Sequence, residues 1–99
     1  MSIDLNEKYQ TIIKAILTPY LKQQYVYVYV FGSRAKGTAK TYSDVDLCLE
    51  GELLSFTEMA SLKEAFSESD LPYFVDVLQQ KEISKPFYLS IKDSFVALI

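Results

Sequence analysis

Ninety-nine residues, close to half of them apolar and 14% aromatic, exclude a disordered segment and a two-domain protein, so one domain over residues 1–99 is expected. A net charge of −3 argues against a general nucleic-acid coat, which needs a basic face. The single cysteine, Cys48, excludes an internal disulfide and points to a reducing, cytoplasmic compartment, and no stretch has the form of a membrane span or a signal peptide.

The first element reads as a helix, because Leu5, Tyr9, Ile12, Ile13, Ile16, Leu17, Tyr20 and Leu21 recur at three- and four-residue spacing. Asp4 with Glu7 has the form of a start signal, and Pro19 is expected to kink or fray the last turn. YVYVYVF, Tyr25 to Phe31, is β-branched and aromatic with no charge, the pattern of a strand buried on both faces. DVDLCLE, Asp44 to Glu50, is a second strand, alternating acidic or small residues with Val45, Leu47 and Leu49. A helix follows, opened by a capping box of Ser55 and Glu58 and a staple of Leu54 and Met59, with Met59, Leu62 and Phe66 on its apolar face.

LPYFVDVLQ, Leu71 to Gln79, is the third strand, and the helix before it makes the connection long enough for a parallel crossover. From Ser84 the chain turns helical again, with Pro86 in the first turn and Phe87, Ile91 and Phe95 on one side. The closing FVALI, Phe95 to Ile99, suits either docking on the sheet or a partner surface. The result is an α+β fold, a small sheet covered by helices. Eight tyrosines exceed what so small a core can hide, which places some of them on contact surfaces.

Chemistry concentrates in FGSRAKGTAKTYSDVDL, Phe31 to Leu47. Gly32 ends a buried strand and lets the backbone turn and approach a ligand closely, while Ser33 adds a hydroxyl. With the following turn they form an anion site, to which Arg34 and Lys36 add positive charge. Asp44 and Asp46 share a strand face, and Asp76 interrupts an otherwise apolar strand. Laid together, each pair of like charges would cost roughly 4 kcal/mol at ~4 Å in a dielectric near ~20. Something must neutralise them. The chain has no histidine, so magnesium or manganese on oxygen ligands suits better than zinc or iron. A phosphate cradle beside paired carboxylates is the layout of metal-assisted phosphoryl or nucleotidyl transfer.

GS, ten residues, then DVD, with a later Asp76 in a strand, resembles the minimal nucleotidyltransferase (MNT) family of the DNA polymerase β superfamily. The resemblance covers nearly the whole chain, and LKEAFSESDLPYFVDVL, Leu62 to Leu78, is similar to small bacterial proteins encoded beside a HEPN-domain partner. It implies a nucleotidyltransferase-like mixed sheet with flanking helices. Asp44, Asp46 and Asp76 become metal ligands for Mg2+, two ions, with Asp76 also helping to deprotonate the attacking hydroxyl. Gly32 and Ser33 lie at the triphosphate of ATP, where the charges of Arg34 and Lys36 are expected to join them. It also implies an antitoxin that silences a HEPN ribonuclease toxin, in related systems by moving AMP from ATP to a tyrosine of the toxin. Larger relatives carry a further domain for the acceptor, so specificity here is expected from loops, self-association or the partner.

Blander readings stand beside this one. Gly32-Ser33 alone is a plain turn, Asp44 a strand opener, and Arg34, Lys36 and Lys40 solvated charges. Cys48 reads as a small buried hydrophobe and not a nucleophile. Two other functions stay open: neutralisation of a HEPN partner by binding alone, and nucleotidyl transfer to RNA or a small molecule.

Overall fold

Asn6, two residues beyond the expected start, opens the first helix, α1 (Glu7–Leu21). Its side-chain oxygen accepts from the amide of Lys8 at 2.9 Å, and its carbonyl accepts from Tyr9 and Gln10. Asp4 is engaged elsewhere. Its amide donates to the carbonyl of Arg34 at 2.7 Å, and its own carbonyl accepts from the Arg34 guanidinium at 3.0 Å. A long-range contact therefore displaces the local cap. The helix carries Pro19 through to Leu21 and buries Ile13 and Leu17 completely. The computed structural model describes residues 3–21, 26–51 and 54–99, so Tyr25 of the expected first strand lies outside the described residues.

Among the described residues four strands follow: β1 (Val26–Phe31), β2 (Val45–Gly51), β3 (Val75–Gln79) and β4 (Val96–Ala97). They form one sheet in the order β3-β2-β1-β4. β1 runs antiparallel to β2 and β4, while β2 and β3 are parallel, joined by α3 (Phe56–Ser67) as a crossover. The sheet is thus mixed, as expected. The start of α3 also matches: the Ser55 side chain accepts from the Glu58 amide at 3.1 Å, and Glu58 accepts from the Ser55 amide at 3.0 Å. β3 is shorter than expected and begins at Val75. The preceding stretch contains Pro72, which has no amide to offer a ladder, and Phe74 stands 69% exposed.

The two sheet faces differ. Val28, Val30, Leu47, Leu49, Val75 and Val77 share one face and close into a core with Ile13 and Leu17 of α1 and Met59, Leu62 and Phe66 of α3. Leu17, Leu47 and Leu62 are fully buried, and truncating one of them to alanine would cost about 2–5 kcal/mol. The opposite face carries Tyr27, Tyr29 and Phe31 on β1, Asp46 and Cys48 on β2 and Asp76 on β3. β1 is therefore not buried on both faces. Tyr27 is 55% exposed, and among the described residues no helix packs over that end of the second face as α1 and α3 pack over the first.

The C-terminal region covers the rest of that face. Ser84 caps the short helix α4 (Lys85–Ile91), in which Pro86 occupies the first turn. No residue of α4 is buried, and Phe87 stays 43% exposed, so the expected apolar side does not pack inward. Phe95 lies beyond the helix and stacks on Tyr29 with centroids 5.0 Å apart, within 6.1 Å of Phe31 and 5.9 Å of Tyr88. The final segment docks on the sheet: Val96 and Ala97 pair with β1, Leu98 is buried, and the amide of Leu98 donates to the carbonyl of Val28 at 2.9 Å.

Candidate active site

The turn after β1 is built around Gly32. Its φ of 74° and ψ of −150° lie where residues with a Cβ rarely go. A methyl group placed there would stand 2.6 Å from Oδ2 of Asp46. The backbone thus passes directly against the carboxylate, which no other residue type would permit. The carbonyl of Gly32 accepts from the amides of Ala35 and Lys36 at 3.1 and 3.0 Å, starting the single-turn helix α2 (Ser33–Lys36). The amides of Ser33 and Arg34 precede the first bond of that turn, as at any helix start. The Gly32 amide donates to Oγ of Ser94 at 3.4 Å, which fastens the turn to the C-terminal region.

Asp46 is half-buried in β2, opposite Phe31 on one side and Asp76 on the other. Burial first, then the charges of Asp76 and Asp44, push its carboxyl up from the usual value to about 6. Asp44 stands in the residue before β2, exposed and outside the strand register. The expected trio is therefore an inner pair, Asp46 and Asp76, with Asp44 as a satellite. Among the described residues no three acidic, cysteine or histidine side chains are gathered tightly enough to form a ready-made metal cage. The donor chemistry is nonetheless uniform: carboxylate oxygens, with an ionisation that a divalent cation would favour, suit magnesium or manganese.

Arg34 behaves differently from the phosphate contact expected of it. The residue is 5% exposed, and its guanidinium donates to four backbone carbonyls: Asp4 at 3.0 Å, Lys40 and Thr41 at 3.3 Å each, and Ser43 at 3.0 Å. Its plane lies over the ring of Tyr73, 4.4 Å from the centroid. Tyr73 in turn meets Tyr9 edge-on at 5.4 Å. The side chain thereby binds the chain segments leading into Asp44 and Asp76 to the helix that carries Ser33. Its Nε is buried without a hydrogen-bond partner among the described residues. Lys36 is exposed and Ser33 half-buried, both on the turn beside Asp46.

Residues 11–98 match the family model described as polymerase beta, nucleotidyltransferase. This chain belongs to that family. It is 43% identical over 97 residues to a Haemophilus influenzae protein named "Probable protein adenylyltransferase MntA", covering 97% of this chain and 83% of that one. Its fold also matches a chain of a solved complex of tri-AMPylated Shewanella oneidensis HEPN toxin with MNT antitoxin, with a TM-score of 0.70, 16% identity, and coverage of 96% of this chain and 72% of that one. A toxin–antitoxin structure with AMP-PNP gives a TM-score of 0.69 and 22% identity, covering 96% and 73%. At those identities the two structural likenesses speak for the fold alone.

Within this nucleotidyltransferase fold, Gly32, Asp46 and Asp76 meet at one end of the second sheet face, with Ser33 and Lys36 on the turn that follows Gly32 and Asp44 just ahead of β2. Two contributors carried no signal in the sequence. Ser94 reaches Gly32 from 62 residues away, and Tyr73 receives the Arg34 guanidinium. Asp76 is also among the residues lining a cleft of about 400 Å³ between β3 and α3, together with Lys63, Phe66, Leu71 and Phe74. Cys48 is fully buried, and its thiol is pushed up to about 11, first by burial and then by Glu50, which leaves it inert at neutral pH. Among the described residues no helix is long and apolar enough to cross a membrane.

Proposed function

We propose that this nucleotidyltransferase is the antitoxin of a HEPN–MNT pair and transfers AMP from ATP to a tyrosine of its HEPN ribonuclease partner, in the cytoplasm. The observation that carries this reading is the Asp46–Asp76 pair set against a glycine turn whose backbone touches the carboxylate. Identity of 43% along nearly the whole chain to a protein named as a protein adenylyltransferase supports the choice of acceptor class. The names of the two matched structures, one with an AMPylated HEPN toxin and one with AMP-PNP, support the partner and the nucleotide.

Asp44, Asp46 and Asp76 would hold magnesium, two ions in this reading, which supplies charge neutralisation along the triphosphate. Ser33, through its hydroxyl and amide, and the amide of Arg34 hold the triphosphate tail, with Lys36 adding positive charge at the rim. Because its guanidinium is engaged with backbone carbonyls, Arg34 acts on the nucleotide through its backbone and through the loops it holds. The tyrosine oxygen attacks the α-phosphorus; the new O–P bond forms as the bond from that phosphorus to the bridging oxygen breaks. Pyrophosphate leaves, and the hydroxyl proton passes to Asp76. A bulky anionic group beside a ribonuclease centre would repel the RNA backbone.

Intact-mass spectrometry of the HEPN partner, after incubation with this protein, ATP and magnesium, tests the reading. An AMP-sized increment is expected, and it should vanish when Asp44→Ala and Asp46→Ala are combined. Full inhibition of the ribonuclease by that double variant, with no adduct, would assign the function to binding alone.

A further inference from the structure

The antiparallel pairing of β1 with β4 sets Tyr29 against Ala97 and Val30 against Val96. Carried two places further, the same register sets Phe31 against Phe95 and Gly32 against Ser94. Both contacts are made: the rings of Phe31 and Phe95 lie 6.1 Å apart, and the Gly32 amide reaches Oγ of Ser94 at 3.4 Å. At that point the chain is no longer in β4 but in a single 3-10 turn, Lys92–Ser94, and a hydroxyl stands where a ladder would offer a carbonyl. That hydroxyl donates its proton to the carbonyl of Ile91 at 2.8 Å, which leaves its lone pairs for Gly32.

Glycine has the freest backbone of any residue, so the turn keeps its shape only if both peptide units flanking Gly32 are held. The unit before it ends in the amide that Ser94 binds. The unit after it has its carbonyl bound by the amides of Ala35 and Lys36 at 3.1 and 3.0 Å, and the Ser33 amide lies in the same plane. The two anchors together pin φ at 74° and ψ at −150°, which aims the Ser33 amide and the start of α2. A bond of 3.4 Å is long for an amide donor, so its contribution lies in direction more than in stability.

We propose that Ser94 is a positioning residue for nucleotide binding, its hydroxyl holding the Gly32 peptide so that the Ser33 and Arg34 amides face the triphosphate. The inference rests on the transfer reading above for placing the triphosphate at this turn. The C-terminal region then belongs to the nucleotide site as well as covering the sheet.

Ser94→Ala and Ser94→Thr test the role. The titrant is magnesium with α,β-methylene-ATP, in which the bond that must break is blocked. Isothermal titration should give a Kd raised about two- to tenfold in Ser94→Ala, the contribution of one hydrogen bond. Ser94→Thr keeps the hydroxyl and should bind as the wild type does. In AMP transfer, Ser94→Ala should raise KM for ATP in the same proportion while kcat and the KM for the HEPN partner stay unchanged. That is the pattern of an interaction made equally in the ground and transition states. Amide exchange should quicken at Gly32 and not at Leu98, with the melting temperature lowered by no more than about 4 °C. An unchanged Kd or unchanged Gly32 exchange in Ser94→Ala would overturn the role. Equal loss of protection at Gly32 and Leu98 would also overturn it, by making Ser94 an anchor of the chain end. A wild type that binds the analogue and transfers no AMP from ATP would sink the transfer reading, while the Kd comparison still decides the role of Ser94.

Discussion

Gly32 and Asp46 are in direct apposition: the space a β-carbon at Gly32 would take lies 2.6 Å from Oδ2 of Asp46. The glycine before the serine and the second carboxylate of the Asp-x-Asp are thus one structural unit, joined across the β1–β2 pair where Phe31 faces Asp46.

Gly32→Ala should be destabilising by about 1–3 kcal/mol, because the residue must hold φ near 74° and also displace a carboxylate. Combining it with Asp46→Ala removes the collision and leaves only the backbone strain. The two substitutions should therefore cost less together than their sum in a urea-denaturation cycle. Strict additivity would show that the two residues do not meet.

The raised carboxyl of Asp46 sets a pH dependence. Its folded value of about 6 lies above the ordinary 3.8, so between those values the native state binds the proton that the unfolded chain has released. Stability without metal should accordingly fall as pH rises from about 4 through about 6. Asp46→Asn should flatten that slope and, at pH 7.5, melt higher than the wild type by the equivalent of roughly 1–2 kcal/mol, a value reduced for partial exposure. The same variant should lose the stabilisation that magnesium and ATP confer on the wild type. Melting curves across pH, with and without magnesium and ATP, check both. A variant that unfolds without metal would make Asp46 a structural residue.

Arg34 separates two roles cleanly. As the buried holder of four carbonyls and the Tyr73 ring, it should cost about 2–4 kcal/mol when changed to methionine, measured with no nucleotide present. Lysine should rescue little, since an ammonium cannot reproduce the planar fork or the stack. A normal melting temperature with weakened ATP binding would instead return the side chain to the triphosphate.

Phe95→Ala should loosen the C-terminal region, because the ring stacks on Tyr29 and touches Phe31 and Tyr88. A loss of about 1–3 kcal/mol is expected. Amide exchange should rise at Leu98, whose hydrogen bond to Val28 secures the end of the chain. Protection unchanged at Leu98 would mean that the strand pairing alone anchors the segment.

Much of this protein is determined locally and was legible in its sequence. The α3 capping box, the Ser84 cap with Pro86 and the glycine–serine turn all depend on neighbours within a few residues, where spacing and side-chain chemistry decide the outcome. What only the tertiary structure decided involves partners far apart in the chain. Asp4 fails to cap α1 because the backbone of Arg34 takes it. Arg34, polar and cationic, reads as a ligand of phosphate until four carbonyls from two segments, Asp4 and the 40–43 loop, are seen around it. Tyr25 to Phe31 reads as doubly buried because aromatic and aliphatic residues look alike by hydropathy, while exposure, as at Tyr27, depends on which elements cover each sheet face. Strand pairing sets Asp46 against Asp76 and brings Gly32 to the Asp46 carboxylate, and a hydrogen bond from 62 residues away fastens Gly32 to Ser94. Local pattern names the reacting groups; only the packed sheet brings them within reach of one another.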